Sequence, residues 1–479
     1  MKKSFSILFV LISFSSFSQE MVKSLDLKIE KNTTVFQVVE EDKKQVSLFF
    51  NDKKNAKAIR LDNQLNLIDS LSANRPQKGY EDIVGYSITK NKYYSYWSNA
   101  NNKHFASQCF DFDTKQVSLN TFDLEFIDEK PIEKITVKNV FYLITTVKST
   151  SILNIYVFKD GKAQKKSLDL SNKTFISLES KRVTLWDLLN ESYDIQPALA
   201  IQDILSETPP SLVFSANKRK AYIKDDNLLF TFDNTKSFTQ MLTINLSDFT
   251  FSQKALTFPF LEETEFNIPS SNSFLLGDKM IQMMSNGNKM IIEIKDFENN
   301  EIKSLVVEKD KEIDFKNSEI IQENGKASNT RILDKSKQLL RKIENQVPSL
   351  SCYSFNNKNY LSLGSVSPLP KNNNYAAMYF TTFGGFTGAL IGMAISSNYS
   401  LDNVNSYKDR KVVYINCVFD SNFNHLNEAP KKLAFDELRA FAEKNSFLGS
   451  QTVFKFNSNL YFGGYDLKSK LYSFYKFND

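Results

Sequence analysis

Side chains that could carry out catalysis are sparse in this sequence of 479 residues. Its only two histidines, His104 and His425, are far apart in the chain, so a Ser-His-Asp triad or a histidine-rich metal site has little raw material. The phosphate-binding pattern GxxxxGK[ST] and the dinucleotide-binding pattern GxGxxG do not occur. The sequence therefore predicts no metal and no cofactor, and it leaves any catalytic residue unknown.

Carboxylates are the remaining candidates for chemistry. Two acids at a set separation are enough to hydrolyse a glycoside, so a carbohydrate-active hydrolase or lyase stays open as an alternative. The acidic runs at residues 40–42 and 262–265 are typical of solvated loops rather than of catalytic pairs. Which carboxylates lie close together depends on the strands and helices in which they occur.

Those elements follow a repeat: a short alternating strand that ends in Asp recurs seven times. Three of the successive repeats are about 50 residues apart, close to the length of a four-stranded propeller blade. An Asp side chain can hydrogen-bond backbone two residues further on, so these carboxylates are predicted to stabilise turns rather than to catalyse. The repeated segments are KAIRLD at Asp62, SQCFDFD at Asp113, NIYVFKD at Asp160, MLTINLSD at Asp248, MIIEIKD at Asp296, VYINCVFD at Asp420 and LYSFYKFND at Asp479.

The last repeat contains only three strands before the chain stops. Residues 24–30 form a spare alternating strand near the other end, and we predict that they pair with residues 471–477 and remove an exposed sheet edge. The predicted fold is all-β, a seven-bladed β-propeller in one domain over residues 19–479. On these repeats and the spare strand, the chain resembles exported bacterial β-propeller proteins; the resemblance implies the architecture but no particular functional residue.

The first residues are typical of a secretory signal. Lys2 and Lys3 precede an apolar run over residues 7–14, and small residues at 16–18 suit a cleavage site. We predict a signal peptide over residues 1–18 and a location in the periplasm, at the outer membrane or outside the cell.

Composition agrees with a globular protein and argues against nucleic-acid binding. Apolar residues make up 41% and charged residues 24%, and the formal net charge of +5 is spread along the chain without a long basic run. Three cysteines, an odd number, do not make a disulfide framework, and a single bridge stays open.

Four insertions interrupt the repeat, near residues 172–210, 311–348, 367–410 and 430–450. They are predicted to carry short helices and to lie on one face of the propeller. Residues 372–401 contain no charged side chain. This stretch is interpreted as buried strands around a Gly-Gly turn, as an apolar loop that contacts a partner or a membrane surface, or as a spanning helix.

These features favour a non-catalytic binding or scaffold protein of the bacterial cell envelope or exterior that uses the insertion-bearing face. A protein or a glycan is the expected partner, peripheral membrane contact stays open, and the oligomeric state is not determined. The candidate interaction surface is Trp186, Phe383, Phe386, Leu390 and Phe441.

Overall fold

The computed structural model describes residues 20–77, 79–80, 82–99, 103–265, 267–368, 399–429 and 431–479. The predicted signal peptide lies outside these residues. The chain is all-β, with 54% of its residues in strands and 8% in helices. Across the described ranges, strands form seven sheets of four or five strands and one two-stranded hairpin.

The strands are numbered in chain order, and each sheet is given from its first strand outwards. Sheet 1 contains β2 (Thr34–Glu40), β3 (Gln45–Asn51), β4 (Asn55–Leu61) and β5 (Leu67–Asn74). Sheet 2 contains β6 (Asp82–Thr89), β7 (Lys92–Ser98), β8 (His104–Asp111) and β9 (Gln116–Asp123). Sheet 3 contains β10 (Glu129–Val137), β11 (Val140–Val147), β12 (Ile152–Lys159) and β13 (Lys162–Asp169).

The later sheets carry additional strands. Sheet 4 contains β17 (Arg219–Lys224), β18 (Asn227–Phe232), β19 (Phe238–Asn245) and β20 (Phe251–Thr257), with β16 (Gln202–Ile204) parallel to β17. Sheet 5 contains β21 (Ser270–Leu276), β22 (Lys279–Ser285), β23 (Lys289–Lys295) and β24 (Glu301–Glu308). Sheet 6 contains β27 (Val347–Phe355), β28 (Lys358–Val366), β29 (Lys411–Asp420), β25 (Ile320–Asn324) and β26 (Thr330–Leu333). Sheet 7 contains β30 (Gly449–Phe456), β31 (Asn459–Asp466), β32 (Leu471–Phe477) and β1 (Glu20–Asp26).

Burial decreases from the first strands of a sheet to its fourth. In sheet 3, the apolar strand β11 is buried along nearly its whole length, whereas the Lys-rich strand β13 is mostly exposed. Continuous apolar runs therefore form strands covered on both sides, and alternating or polar runs form the outer strands. The apolar core lies between neighbouring sheets.

Four of the seven repeated aspartates, Asp62, Asp248, Asp296 and Asp420, form turns as predicted from the sequence, whereas Asp479 accepts a hydrogen bond from the backbone N–H of Ala434. Asp62 Oδ1 accepts hydrogen bonds from the backbone N–H groups of Gln64 and Asn66 at 2.8 Å, and Asn66 Nδ2 donates to the second carboxylate oxygen. Asp296 and Asp420 make the same three bonds at their own turns. In the second repeat, Asp111 takes this role instead of Asp113.

The predicted pairing between the two ends of the chain is present, with different bounds. β1 runs antiparallel to β32, with Ser24 opposite Ser473 and their hydroxyl oxygens 2.8 Å apart. The strand covers residues 20–26 rather than 24–30. Asp26 lies opposite Leu471, the first residue of β32, so the residues that follow have no partner strand.

One outer strand comes from an unexpected part of the chain. In sheets 1 to 5 the fourth strand follows the third, but in sheet 6 the strand beside β29 is β25, which precedes β27. After β29 the chain leads instead to a helix that packs against sheet 7.

The helices are short, and all the described ones except α2 (Leu212–Ser215) lie within the predicted insertions. Residues 172–210 contain the hairpin β14 (Phe175–Ile176) and β15 (Arg182–Val183), helix α1 (Leu185–Leu189) and β16. Helix α2 (Leu212–Ser215) follows, and residues 311–348 contain β25, β26 and α3 (Ser336–Glu344). Within 367–410 the structure describes α4 (Tyr399–Asn405), and 430–450 contains α5 (Ala434–Lys444).

The sheets contact one another in chain order. Sheet 7 also contacts sheet 1, since Gln37 Nε2 donates to the carbonyl oxygen of Val453 at 3.0 Å and Ser450 Oγ donates to that of Thr33 at 2.8 Å. Turns between first and second strands and between third and fourth strands meet across neighbouring sheets; we call this side the hairpin face. The contacts there are Glu41 with Asn457, Lys43 with Lys90, Thr89 with Asp160, and Lys138 with Asp226. The opposite side, which carries the second-to-third turns and the connections between sheets, is the insertion face.

Candidate functional site

A cavity of 690 Å³ opens at the hairpin face among sheets 4, 5 and 6. It lies where the ends of β17, β21 and β27 approach the segment that follows β16. Its volume falls within the range of about 300–1,000 Å³ that is usual for small-molecule sites.

The floor of this cavity is apolar. Ile204, Phe274 and Cys352 line it and are almost completely buried, and Pro210 is buried beside them. The hydroxyl of Tyr222, also in the lining, accepts a hydrogen bond from the backbone N–H of Leu275 at 3.3 Å. Contact area for a ligand comes from the half-buried apolar residues of the lining, which are Leu205, Ile223, Leu276 and Phe355.

The rim is polar and is formed by three tight turns. Lys224, Asp278 and Lys279 come from sheets 4 and 5, and Asn356 and Asn357 come from sheet 6. The two asparagines have φ values of 49° and 58°, and left-handed backbone of this kind is tolerated by Asn better than by most residues. The residue types in these turns therefore determine the turn conformation, and the turn conformation determines the positions of the polar side chains at the rim.

Another residue of the β16 segment, the half-buried Asp203, forms a pair with the buried Glu133 of sheet 3. Glu133 of β10 and Asp203 of β16 hydrogen-bond through their side chains, and the backbone N–H of Lys134 donates to Glu133 Oε1 at 2.7 Å. Burial raises the pKa of the Asp203 carboxyl to about 7, and burial followed by repulsion from Asp203 raises the pKa of Glu133 well above its usual value. A hydrogen bond between two carboxyls requires a shared proton, so the pair holds one at neutral pH.

Glu207 follows on the same segment. Its side chain reaches solvent although protein atoms surround it closely; burial raises its pKa, and Lys455 lowers it. Contact with water reduces the size of this effect. Glu207 is thus the water-accessible acid of the segment, and the Glu133–Asp203 pair is the enclosed one.

Sheets 4 and 5 are joined by a buried ionic network. Lys220 Nζ lies 3.2 Å from Asp233 Oδ2, and both side chains are fully buried. Asp233 also accepts hydrogen bonds from the hydroxyls of Thr239 and Ser273, each at 2.8 Å. Nearby, Lys218 donates to the carbonyl oxygen of Ser271, and burial lowers its pKa to about 8. Because every oxygen of Asp233 is satisfied by protein groups, the network holds the two sheets together rather than offering a free acid.

The structure describes two of the five predicted surface residues. Trp186 is half-buried in α1 against the core between sheets 3 and 4. Phe441 is buried in α5, with its ring centroid 4.5 Å from that of Tyr475. Phe383, Phe386 and Leu390 lie outside the described residues. The two described aromatics therefore pack against the sheets.

The three cysteines are free and buried, so the disulfide that the sequence left open is absent from them. Cys352 and Cys417 lie on β27 and β29, with β28 between the two strands. Burial raises the pKa of both thiols, which is the expected behaviour of cysteines that act as small core residues.

Exposed apolar side chains are distributed unevenly between the two faces. Phe260, Ile127 and Phe447 are 86%, 72% and 68% exposed, and all three lie in connections between sheets, on the insertion face. Leu178, Ile268 and Leu467 lie in connections or second-to-third turns of that same face. Within the described ranges, the large exposed apolar residues include none from a turn of the hairpin face.

Two searches of the described residues gave negative results. No helix among them is long and apolar enough to cross a membrane. No group of three or more His, Cys, Asp or Glu side chains in that same part of the chain is arranged to hold a metal ion.

Comparison with known proteins adds little. No family model and no curated protein matches the chain. Among solved structures, a cobalt-substituted apocarotenoid oxygenase of Synechocystis matches with a TM-score of 0.28 and 9% identity, covering 57% of this chain and 61% of that one. A prolyl endopeptidase matches with a TM-score of 0.30 and 8% identity, covering 69% of this chain and 38% of that one. TM-scores this low carry no argument about fold or activity.

The sequence analysis did not predict the cavity, although two of the turns at its rim can be predicted from the sequence. Turns at Asn356–Asn357 and around Gly277 can be read from residue type alone. Their approach to one another and to Ile204 depends on how β16 enters the space beside β17, and a three-residue parallel strand leaves no periodic signal.

Proposed function

We propose that the protein is an exported, non-catalytic binding or scaffold protein of the cell envelope or exterior, built as a seven-bladed β-propeller. Seven sheets in chain order, with neighbouring sheets in contact and the first and last described strands both in sheet 7, support this architecture. Pairing of β1 with β32 would close the ring, as in propellers whose last blade combines strands from both termini.

The proposed binding surface is the insertion face. The observation that carries the proposal is that six of the thirteen large exposed apolar side chains of the described residues lie in loops of this face, with Phe260, Ile127 and Phe447 as the most exposed, while the other seven lie on strands. Exposed apolar residues in the loops of one face and not in the turns of the other favour an interaction surface on that face, because random changes of surface composition would affect both faces.

A protein surface is the partner that this face fits best. Both signs of charge accompany the apolar residues: Glu262 and Glu263 follow Phe260, and Lys444 precedes Phe447. Attachment to an anionic lipid surface favours an excess of Lys and Arg around the apolar groups. Mixed charge around apolar side chains is the usual composition of a protein–protein interface.

Site-specific photo-crosslinking in the producing cells tests the proposal. A crosslinking amino acid is placed at Phe447, at Ile127, or at Leu119 on the outer strand β9 as a matched exposed control (48% exposed). We expect protein adducts of discrete mass from positions 447 and 127 and none from position 119. Adducts to lipid, equal adducts from all three positions, or no adduct would refute the proposed surface.

Export is tested separately by mass spectrometry of the protein from its native cell. Cleavage after the predicted signal peptide gives a mature chain that begins at Gln19. A chain that retains residues 1–18 in the cytoplasm would contradict the proposed localisation.

The carbohydrate-active alternative receives no support from the Glu133–Asp203 pair. The two acids of a glycosidase are about 5–5.5 Å apart in retaining enzymes and about 6.5–9.5 Å apart in inverting ones. Glu133 and Asp203 hydrogen-bond to each other and leave no room for a glycosidic bond between them.

A further inference from the structure

We infer that the cavity at the hairpin face is a binding site for a small anionic amphiphile, a molecule with one acidic head group and an apolar body. This site is on the side opposite the proposed interaction surface and does not depend on it.

The apolar body of such a ligand is specified by the floor. Leu205, Ile223, Leu276 and Phe355 line the cavity and are half-buried, so they present aliphatic and aromatic surface to a ligand, and none of these side chains carries a donor or acceptor. A sugar would leave its hydroxyls unpaired against this floor, at a cost for each buried polar group. An apolar chain or ring would gain affinity from the same contact.

The acidic head is specified by the rim. Lys224 and Lys279 present two ammonium groups, whereas Asp278 is the single carboxylate in the lining. Asp278 Oδ1 lies 3.2 Å from Lys279 Nζ, and the charges of Lys279 and then Lys224 hold the pKa of Asp278 below its usual value. Among the described residues, Lys224 forms no ion pair within 4.0 Å, so one positive charge at the rim stays uncompensated.

Neighbouring acids on the same turn do not remove this charge. Asp226 pairs with Lys138 of sheet 3 at 2.7 Å, and Asp225 does not line the cavity. Asn356 and Asn357 add amide groups opposite the two lysines, and amides can donate hydrogen bonds to a carboxylate or a sulfate. The charged groups of the lining stand at the rim, so the ligand is expected to enter with its apolar end first.

The test compares three ligands that share a twelve-carbon chain and differ in the charge of the head group: dodecanoate, dodecanol and dodecyltrimethylammonium. Binding to the full mature chain is measured by isothermal titration calorimetry at pH 7.5, below the micelle concentration of each ligand. We expect dodecanoate to bind at least tenfold more tightly than the other two. Absence of dodecanoate binding, or equal binding of the cationic ligand, would overturn the inference.

Variants at the rim then locate the site. Lys224→Gln combined with Lys279→Gln should weaken dodecanoate binding by about five- to tenfold and should leave dodecanol unaffected, because the substitutions remove charge but little volume. Lys44→Gln, in the corresponding turn of sheet 1, is the matched control and should change nothing. Ser206→Trp places a large side chain at an exposed lining position and should block all three ligands.

The folding of each variant is checked by its thermal unfolding midpoint, since all four substituted side chains lie on the surface or at the rim. Unchanged dodecanoate binding by the Lys224→Gln/Lys279→Gln variant, with the midpoint preserved, would place the ligand elsewhere and refute the site. Failure of this experiment leaves the crosslinking result on the insertion face untouched, so the two proposals can fail independently.

Discussion

Replacing Asp203 by Asn should stabilise the folded protein at neutral pH and should have little effect near pH 4. Burial raises the pKa of this carboxyl to about 7, from 3.8 for an unburied aspartate. Between those two values the native state holds a proton that the unfolded chain has lost, so the contribution of Asp203 to stability falls as pH rises from about 4 to about 7. The amide of Asn does not titrate, so the variant does not lose stability at this position as the pH rises.

The size of the effect follows from the gap between the two pKa values. A difference of about 3 pH units, at ~1.36 kcal/mol for each unit, sets an upper limit of about 4 kcal/mol. Asp203 is half-buried rather than fully buried, and it shares its proton with Glu133, so a smaller gain is expected. We expect Asp203→Asn to raise the free energy of unfolding by about 1–2 kcal/mol at pH 8.

Urea unfolding followed by tryptophan fluorescence, repeated from pH 4 to pH 8, measures this difference between variant and parent. The exposed turn residue Asp113 supplies the control, because Asp113→Asn also removes one negative charge but leaves the carboxyl pair intact. A stability difference that does not change with pH would refute the shared-proton description. So would a variant that is less stable than the parent at pH 8, since that would show an ionised, well-compensated Asp203.

Three further predictions concern the architecture. Deleting residues 20–26 exposes the edge of β32 and should cause aggregation or loss of cooperative unfolding in size-exclusion and urea experiments; unfolding like that of the parent would contradict the closing role of β1. Gly364→Ala places a Cβ 1.8 Å from the carbonyl oxygen of Val413, so denaturant midpoints should report a loss of about 1–3 kcal/mol or more, and a neutral effect would refute the close approach. Burial lowers the pKa of Lys218 to about 8, so between about pH 8 and pH 10 the unfolded chain keeps a proton on this residue that the native state has lost; the stability of the parent relative to Lys218→Met should rise there by up to ~1 kcal/mol per pH unit, and a difference that stays constant with pH would contradict the lowered pKa.

Local sequence was sufficient to determine the strands and their turns. Alternating or continuous apolar runs form strands because each buries one face or both, and this choice needs only the residues of the run itself. Asp62, Asp296 and Asp420 form turns through bonds that reach no further than four residues along the chain. The all-β class and the pairing of the first strand with the last followed from the same local patterns, because the last repeat lacked one strand.

Bounds and order depended on partners that lie far away in the chain. β1 ends at Asp26 because β32 begins opposite it, although the alternating pattern of β1 continues to residue 30. β25 supplies the outer strand of sheet 6 because β29 has an unpaired edge on that side. The five residues of β25 contain no sequence pattern that predicts this pairing.

The candidate sites were decided by tertiary structure alone. Phe441 and Trp186 are apolar residues in short helices, and the sequence could not distinguish a helix that presents them outward from one that packs them inward, as both are packed here. Glu133 and Asp203 are 70 positions apart and meet only because β16 runs parallel to β17 beside β10. Composition and periodicity predict which side chains of a segment are buried. A cavity or a proton shared by two carboxyls depends on the distances between segments, and only the tertiary structure determines those distances.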